Sequence, residues 1–77
     1  MNSRIIAETI NEKQNRQDRN GKNYLLLKLD NEEVIFVFPS KLEESEWNDL
    51  QESKRYEFEV EEGNNGSNIL IGYKKTE

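Results

Sequence analysis

The chain contains no cysteine and no histidine. Without cysteine there is no disulfide framework and no thiolate chemistry. Without histidine there is no imidazole base and no imidazole metal ligand. Carboxylates alone remain for acid–base work, so an enzyme is not expected, and neither a metal nor a cofactor is implied. Long hydrophobic runs are also missing. The longest, Leu25–Leu27 and Val34–Phe38, are far too short to cross a bilayer. The first residues, Met1 to Glu8, lack the apolar stretch of a signal peptide. A soluble, cytoplasmic protein that makes no membrane contact is the expectation. Proline occurs once, at Pro39, and glycine four times, at Gly21, Gly63, Gly66 and Gly72. These few residues punctuate the chain.

What is present describes one small domain over residues 1–77. Hydrophobic residues make up 32% of the chain and charged residues 35%, a balance that leans toward disorder. Against that, Leu, Ile, Val and Phe number 19 of 77, above the level of about 20% below which chains stay unfolded, and they cluster at strand spacing. The net charge is −5, but it is segregated. Residues 1–28 hold six Lys/Arg against three Asp/Glu, and residues 29–77 hold five against thirteen. Lys13, Arg16, Arg19, Lys22 and Lys28 gather around the single acid Asp18. A basic strip acts locally, within a Debye length of about 8 Å, even on an acidic protein.

Residue alternation gives five strand-like segments. Arg4–Lys13 is apolar on both faces, with Ile6 and Ile10 on one, as expected where a strand bends. Gln14–Asn23 is polar and basic and reads as a loop, with Asn20-Gly21 supplying a turn. Tyr24–Asp30 points Leu25, Leu27 and Leu29 one way and Tyr24, Leu26 and Lys28 the other. Val34–Phe38 sets Val34, Phe36 and Phe38 against Ile35 and Val37, and forms a hairpin with the segment before it. After Pro39, Ser40-Lys41-Leu42-Glu43 matches a capping box, which predicts a helix from Ser40 to about Glu52. Its thin apolar side is Leu42, Trp47 and Leu50. Arg55–Glu62 alternates Tyr56, Phe58 and Val60 with charged residues. Gly63–Ser67 is a flexible loop, and Asn68–Lys75 ends the fold with Ile69, Ile71 and Tyr73 on its inner face. The order is β-β-β-α-β-β, all-β with one helix. Closing five short strands into a barrel removes raw edges, and the helix plugs one end.

Asn20-Gly21-Lys22-Asn23-Tyr24-Leu25-Leu26-Leu27-Lys28-Leu29-Asp30, then Val34-Ile35-Phe36-Val37-Phe38, then Lys54-Arg55-Tyr56-Glu57-Phe58-Glu59-Val60 follow one another in a recognisable order. The pattern resembles an OB-fold, the five-stranded Greek-key barrel, and is similar to its nucleic-acid-binding members. That resemblance covers most of the chain in order of elements. It implies a ligand face on the outside of strands two and three, flanked by the loops after strands one and four. Carried onto this chain, the face comprises Lys13, Arg16, Arg19, Lys22, Tyr24, Leu26, Lys28, Ile35 and Val37, with Gly63–Ser67 beside it. Tyr24 is then its only stacking aromatic.

The function expected is a small noncatalytic module that binds single-stranded DNA or RNA. Arg16, Arg19 and Lys22 would meet phosphates, Lys13 and Lys28 would anchor the ends, and a base would stack on Tyr24. Each feature also has a plainer reading. The basic segment reads equally as a solvated loop, and Tyr24 as a shield for the barrel exterior. Trp47, Tyr56, Phe58 and Tyr73 read as core, and the many carboxylates as a solvated face. The alternative function is a protein-interaction module that uses the acidic exterior or the apolar patch.

Overall fold

The computed structural model describes residues 3–76, and all their side chains but that of residue 65. Five strands, β1 (Ser3–Gln17), β2 (Asn23–Leu29), β3 (Val34–Val37), β4 (Arg55–Glu62) and β5 (Asn68–Lys75), make up most of the chain. They form one sheet that closes on itself in the order β1-β2-β3-β5-β4. Every neighbouring pair is antiparallel except β3 and β5, which run parallel through Ile35–Asn68 and Phe36–Ile69.

β1 holds the ring together. Residues 3–9 pair with β4, and residues 10–17 pair with β2. The register slips between Ile10 and Glu12. An extra residue there, Asn11, bends the strand, as the two-sided apolar pattern of this segment anticipated. β1 also runs farther than its composition suggests. The expected loop over residues 14–23 shrinks to Asp18–Lys22, because Gln14–Gln17 pair with Asn23–Leu26 despite their polar side chains. Strand pairing here is backbone hydrogen bonding, and one polar face on a solvated antiparallel ribbon costs nothing.

The interior is built from alternate residues. Ile6, Ile10, Leu25, Leu27, Leu29, Ile35, Val37, Tyr56, Phe58, Val60 and Leu70 are buried inside the ring, joined by Leu42, Trp47 and Leu50 from the β3–β4 connection. Leu25, Leu27 and Leu29 fall as expected, and so do Tyr56, Phe58 and Val60. β3 is the reverse of expectation. Ile35 and Val37 are fully buried, while Val34, Phe36 and Phe38 are partly exposed. The register explains this: Leu25 faces Val37 and Leu27 faces Ile35, and directly opposed residues share a face.

β5 is corrected in a similar way. Leu70 takes the buried position opposite Val60, and Ile69 and Ile71 are only partly buried. Tyr73 does return to the core, opposite Phe58, because the register shifts between Glu59 and Val60 and leaves Ile71 as the extra residue.

The expected helix over residues 40–52 is instead a short 3-10 helix at Glu44–Asp49. The capping box is not formed: Glu43 occupies the N-cap position, and no side chain caps the turn. Trp47 is the only buried residue within Glu44–Asp49, while Leu42 and Leu50 reach the core from the irregular chain on either side of it. The segment still closes one end of the ring. Trp47 is buried and its Nε1 donates to the Leu42 carbonyl at 2.9 Å. The Tyr56 hydroxyl donates to the Asp49 carbonyl at 2.6 Å and accepts from the Gln51 amide at 2.9 Å. The Tyr73 hydroxyl adds a bond to the Asp49 carboxylate at 3.2 Å. Burial first, and the Asp49 charge second, push the Tyr73 phenol above its ordinary range. No helix among the described residues is long and apolar enough to cross a membrane.

Candidate nucleic-acid interface

The outer face of β1, β2 and β3 is ordered in rows by the strand register. Glu12, Lys28 and Val34 form one row, and Gln14, Leu26 and Phe36 the next; Arg16 and Tyr24 form the third. Phe38, just beyond β3, extends that last row: its ring centroid lies 5.7 Å from that of Tyr24. Tyr24 and Phe36 are 6.2 Å apart, and Phe36 and Phe38 lie 6.3 Å apart and nearly parallel, at 11°. Three aromatic rings therefore share one outward face. Leu26 lies among them and is only 8% exposed although it points away from the core. Across the parallel contact Phe36 meets Ile69, so the apolar surface continues onto β5.

The sequence-predicted residues divide on this geometry. Tyr24, Leu26, Lys28 and Arg16 stand on the face. Arg19 and Lys22 sit at its end, in the turn joining β1 and β2, and both are exposed. Ile35 and Val37 do not belong to the face, since both are sealed inside the ring. Phe36 and Phe38 take their place. Lys13 is opposite Leu27, on the interior side of β1 rather than on the face. Its Nζ donates to the Trp47 carbonyl at 2.8 Å, and its backbone amide donates to the Glu52 carboxylate at 2.9 Å. Its charge secures the end-closing segment. The loop at Gly63–Ser67 is closed by a 2.7 Å bond from the Gly63 amide to the Ser67 carbonyl. Gly66 lines a cleft with Ser3, Arg4 and Asn68, and none of these belongs to the aromatic rows.

A chain of side-chain bonds orders the charged side of the face. The Gln14 amide donates to the Glu12 carboxylate at 2.7 Å, and Arg16 Nε donates to the Gln14 carbonyl at 2.9 Å. Lys28 approaches Glu12 at 3.8 Å, a loose and exposed pair of little energetic weight. The turn below is closed by hydrogen bonds. Asp18 N donates to the Lys22 carbonyl at 2.9 Å, and Gly21 N to the Asp18 carbonyl at 3.1 Å. The Asp18 carboxylate oxygen Oδ1 accepts from the amides of Asn20 and Lys22 at 2.8 and 2.9 Å. Gly21 has φ +78°, and a Cβ there would meet nothing within 4 Å, so glycine serves the backbone conformation and not a close approach.

The opposite outer face has another character. Ile5 stands 59% exposed, directly across from Glu59 and one row from Ala7 and Glu57. A shallow site there is lined by Ile5, Glu57, Glu59, Gly72, Tyr73 and Lys74.

Compared with known proteins, the chain matches no family model and no curated protein.

Phe36 and Phe38 were missed as face residues, yet the signal lay in the turn. Three loop residues, Asp30-Asn31-Glu32, set Leu29 against Glu33 through the bonds Leu29 N to Glu33 O and Glu32 N to Leu29 O. Counting back from that pair places Ile35 opposite Leu27, and hence inside.

Proposed function

We propose that this chain is a noncatalytic module of the OB-fold type that binds single-stranded nucleic acid on the outer face of β2 and β3. The observation that carries the reading is the cluster of Tyr24, Phe36 and Phe38 on the same face as Arg16 and Lys28. Bases stack on exposed aromatic rings whatever their identity, while cations track the backbone. Arg16, Arg19, Lys22 and Lys28 supply that charge, and Arg16, whose Nε is held by Gln14, presents a guanidinium beside Tyr24. The strand order supports the fold assignment. β1, β2 and β3 follow one another through short turns, and β4 returns beside β1, the spatial order of a Greek key.

The test is a titration of isotopically labelled protein with a short single-stranded oligonucleotide at low salt. Amides of Arg16, Tyr24, Leu26, Phe36 and Phe38 are expected to shift, with Ile5, Glu57 and Glu59 unmoved. The absence of any response at low salt would end this reading. A second reading, a protein-interaction module, is favoured by Ile5 exposed between acidic neighbours, a surface suited to a basic partner with an apolar socket. Shifts confined to Ile5, Glu57 and Glu59 on adding a basic peptide, with no answer to oligonucleotide, would select it.

A further inference from the structure

The nucleic-acid reading leaves one feature of the site unused, and the inference drawn from it rests on that reading. A cleft of about 380 Å³ opens between the β1–β2 turn and the chain just after β3. That is near the lower end of the roughly 300–1,000 Å³ typical of small-ligand sites. Tyr24, Phe38 and Pro39 wall it, and Asp18, Lys22 and Ser40 stand among its lining residues. Two of its walls are therefore flat aromatic rings, and a cation and a carboxylate sit together in the same turn.

The carboxylate is the unusual part. A negative charge beside a phosphate-binding strip opposes binding, so its presence asks for a reason. Part of the reason is local: Oδ1 of Asp18 accepts two backbone amides and holds the turn. A carboxylate oxygen has two lone pairs, so Oδ1 is fully engaged. Among the described residues no donor reaches Oδ2. The turn thus fixes an acceptor with capacity to spare at an aromatic-walled cleft.

We propose that this cleft receives one base of the bound strand, and that Asp18 selects guanine over thymine or uracil. Guanine presents N1–H and N2–H₂ side by side on its Watson–Crick edge, two donors toward one acceptor. Thymine and uracil present a single N3–H between two carbonyl oxygens, which a carboxylate repels. Cytosine and adenine, with one amino donor beside a ring-nitrogen acceptor, fall between. Lys22 meets the phosphate of the same nucleotide, offsetting the repulsion by Asp18.

The experiment compares, on the full chain, a labelled oligothymidine and the same strand carrying one guanine. The guanine strand is expected to bind roughly tenfold more tightly, the size of one good base contact. Asp18→Asn keeps an acceptor for the two amides and places an amide donor where Oδ2 stood. It is expected to abolish the preference for guanine and to lean toward thymine, whose carbonyls accept. Equal binding of the two strands by the native protein would overturn the proposal while leaving the nucleic-acid reading intact. So would an Asp18→Asn variant that gains affinity for both strands alike, since Asp18 then acts only through its charge. If neither strand binds at low salt, the nucleic-acid reading falls and the base preference with it. The comparison on the native chain decides the matter even if the variant does not fold.

Discussion

Adjacent residues of β3 have opposite duties, and substitution separates them. Phe36 and Phe38 are partly exposed beside Tyr24, whereas Ile35 and Val37 are fully buried. Truncating Phe36 or Tyr24 to Ala is expected to weaken oligonucleotide binding by about 1–3 kcal/mol, the worth of one stacked base. Ile35→Ala is expected to cost stability of about 2–5 kcal/mol through the cavity it leaves. Binding isotherms and denaturant midpoints for the three variants read this out directly. A Phe36→Ala protein that binds normally but unfolds early would mean that the aromatic cluster is a structural lid and not a platform. The sequence displayed both faces of β3 without saying which was inside, because Val34–Phe38 is apolar on each. Only the pairing with Leu25 and Leu27, fixed by turn length, decides it. Lys13 was similarly unreadable: a lysine among basic residues looks like ligand charge until its Nζ is found 2.8 Å from the Trp47 carbonyl.

Two of the three hairpin turns, those joining β1 to β2 and β2 to β3, repeat one design with one difference. In each, a three-residue loop is closed by a bond from the first flanking amide to the second flanking carbonyl, and the third loop residue donates back to the first flanking carbonyl. That third residue has φ +78° at Gly21 and φ +71° at Glu32. Such loops call for a left-handed residue there, and only glycine adopts it without a penalty of roughly 1–2 kcal/mol. Gly21→Ala is therefore expected to destabilise the protein by about 1 kcal/mol, and Glu32→Gly to stabilise it by up to about 1 kcal/mol. Thermal or denaturant unfolding of both variants tests the pair, and a stabilising Gly21→Ala would sink it. Strand existence was legible for all five segments, from alternation where one face is polar and from a short apolar run at Val34–Phe38, and so was the inward face of β2 and β4. The helix was not. Ser40 and Glu43 have the spacing of a capping box, but Glu43 itself stands at the N-cap of a short 3-10 turn with no side-chain cap, and Leu42 and Leu50 reach the core from outside that turn. Ser40→Ala is accordingly expected to shift stability by less than about 0.5 kcal/mol, as surface changes away from special features do. A loss near 1 kcal/mol, the usual worth of an N-cap, would mean that the box forms in solution.

At the scale of the whole molecule, charge is arranged in two ways that respond to different variables. Arg4 joins the first residues of β1 to the β2–β3 turn and to β5, through Glu33 at 2.9 Å and Asn68 at 3.1 Å. The Arg4 hydrogen bond is the largest influence on Glu33; burial opposes it, but the carboxyl is held below its ordinary range. A depressed carboxyl contributes stability that is present above its unfolded value and is lost as pH falls through the folded one. Unfolding free energy is therefore expected to decline as pH drops below about 4.3, the unperturbed glutamate value, and Arg4→Ala to flatten that part of the profile. The effect is small because both partners are partly solvated. On the aromatic face, charge governs association. An acidic protein of sequence pI 4.8 gains nothing from its overall field when it meets a polyanion, so attraction comes only from cations on the face. If Arg16, Arg19, Lys22 and Lys28 each neutralise a phosphate, single-strand affinity is expected to fall with a log–log salt slope of about −2 to −3, from roughly −0.7 per contact. Lys28 is the weakest member, since Glu12 already stands near it. Arg19→Glu is expected to flatten the slope by about one contact's worth and to leave stability unchanged, because Arg19 is exposed in the turn. Lys13→Gln is expected to do the opposite, lowering stability while the slope stays as it was, because its charge is spent on the Trp47 carbonyl. Binding measured across a salt series, with unfolding curves for the same three proteins, reads both quantities. An affinity that ignores salt, or a slope that responds to Lys13 and not to Arg19, would remove phosphate capture by this face from consideration.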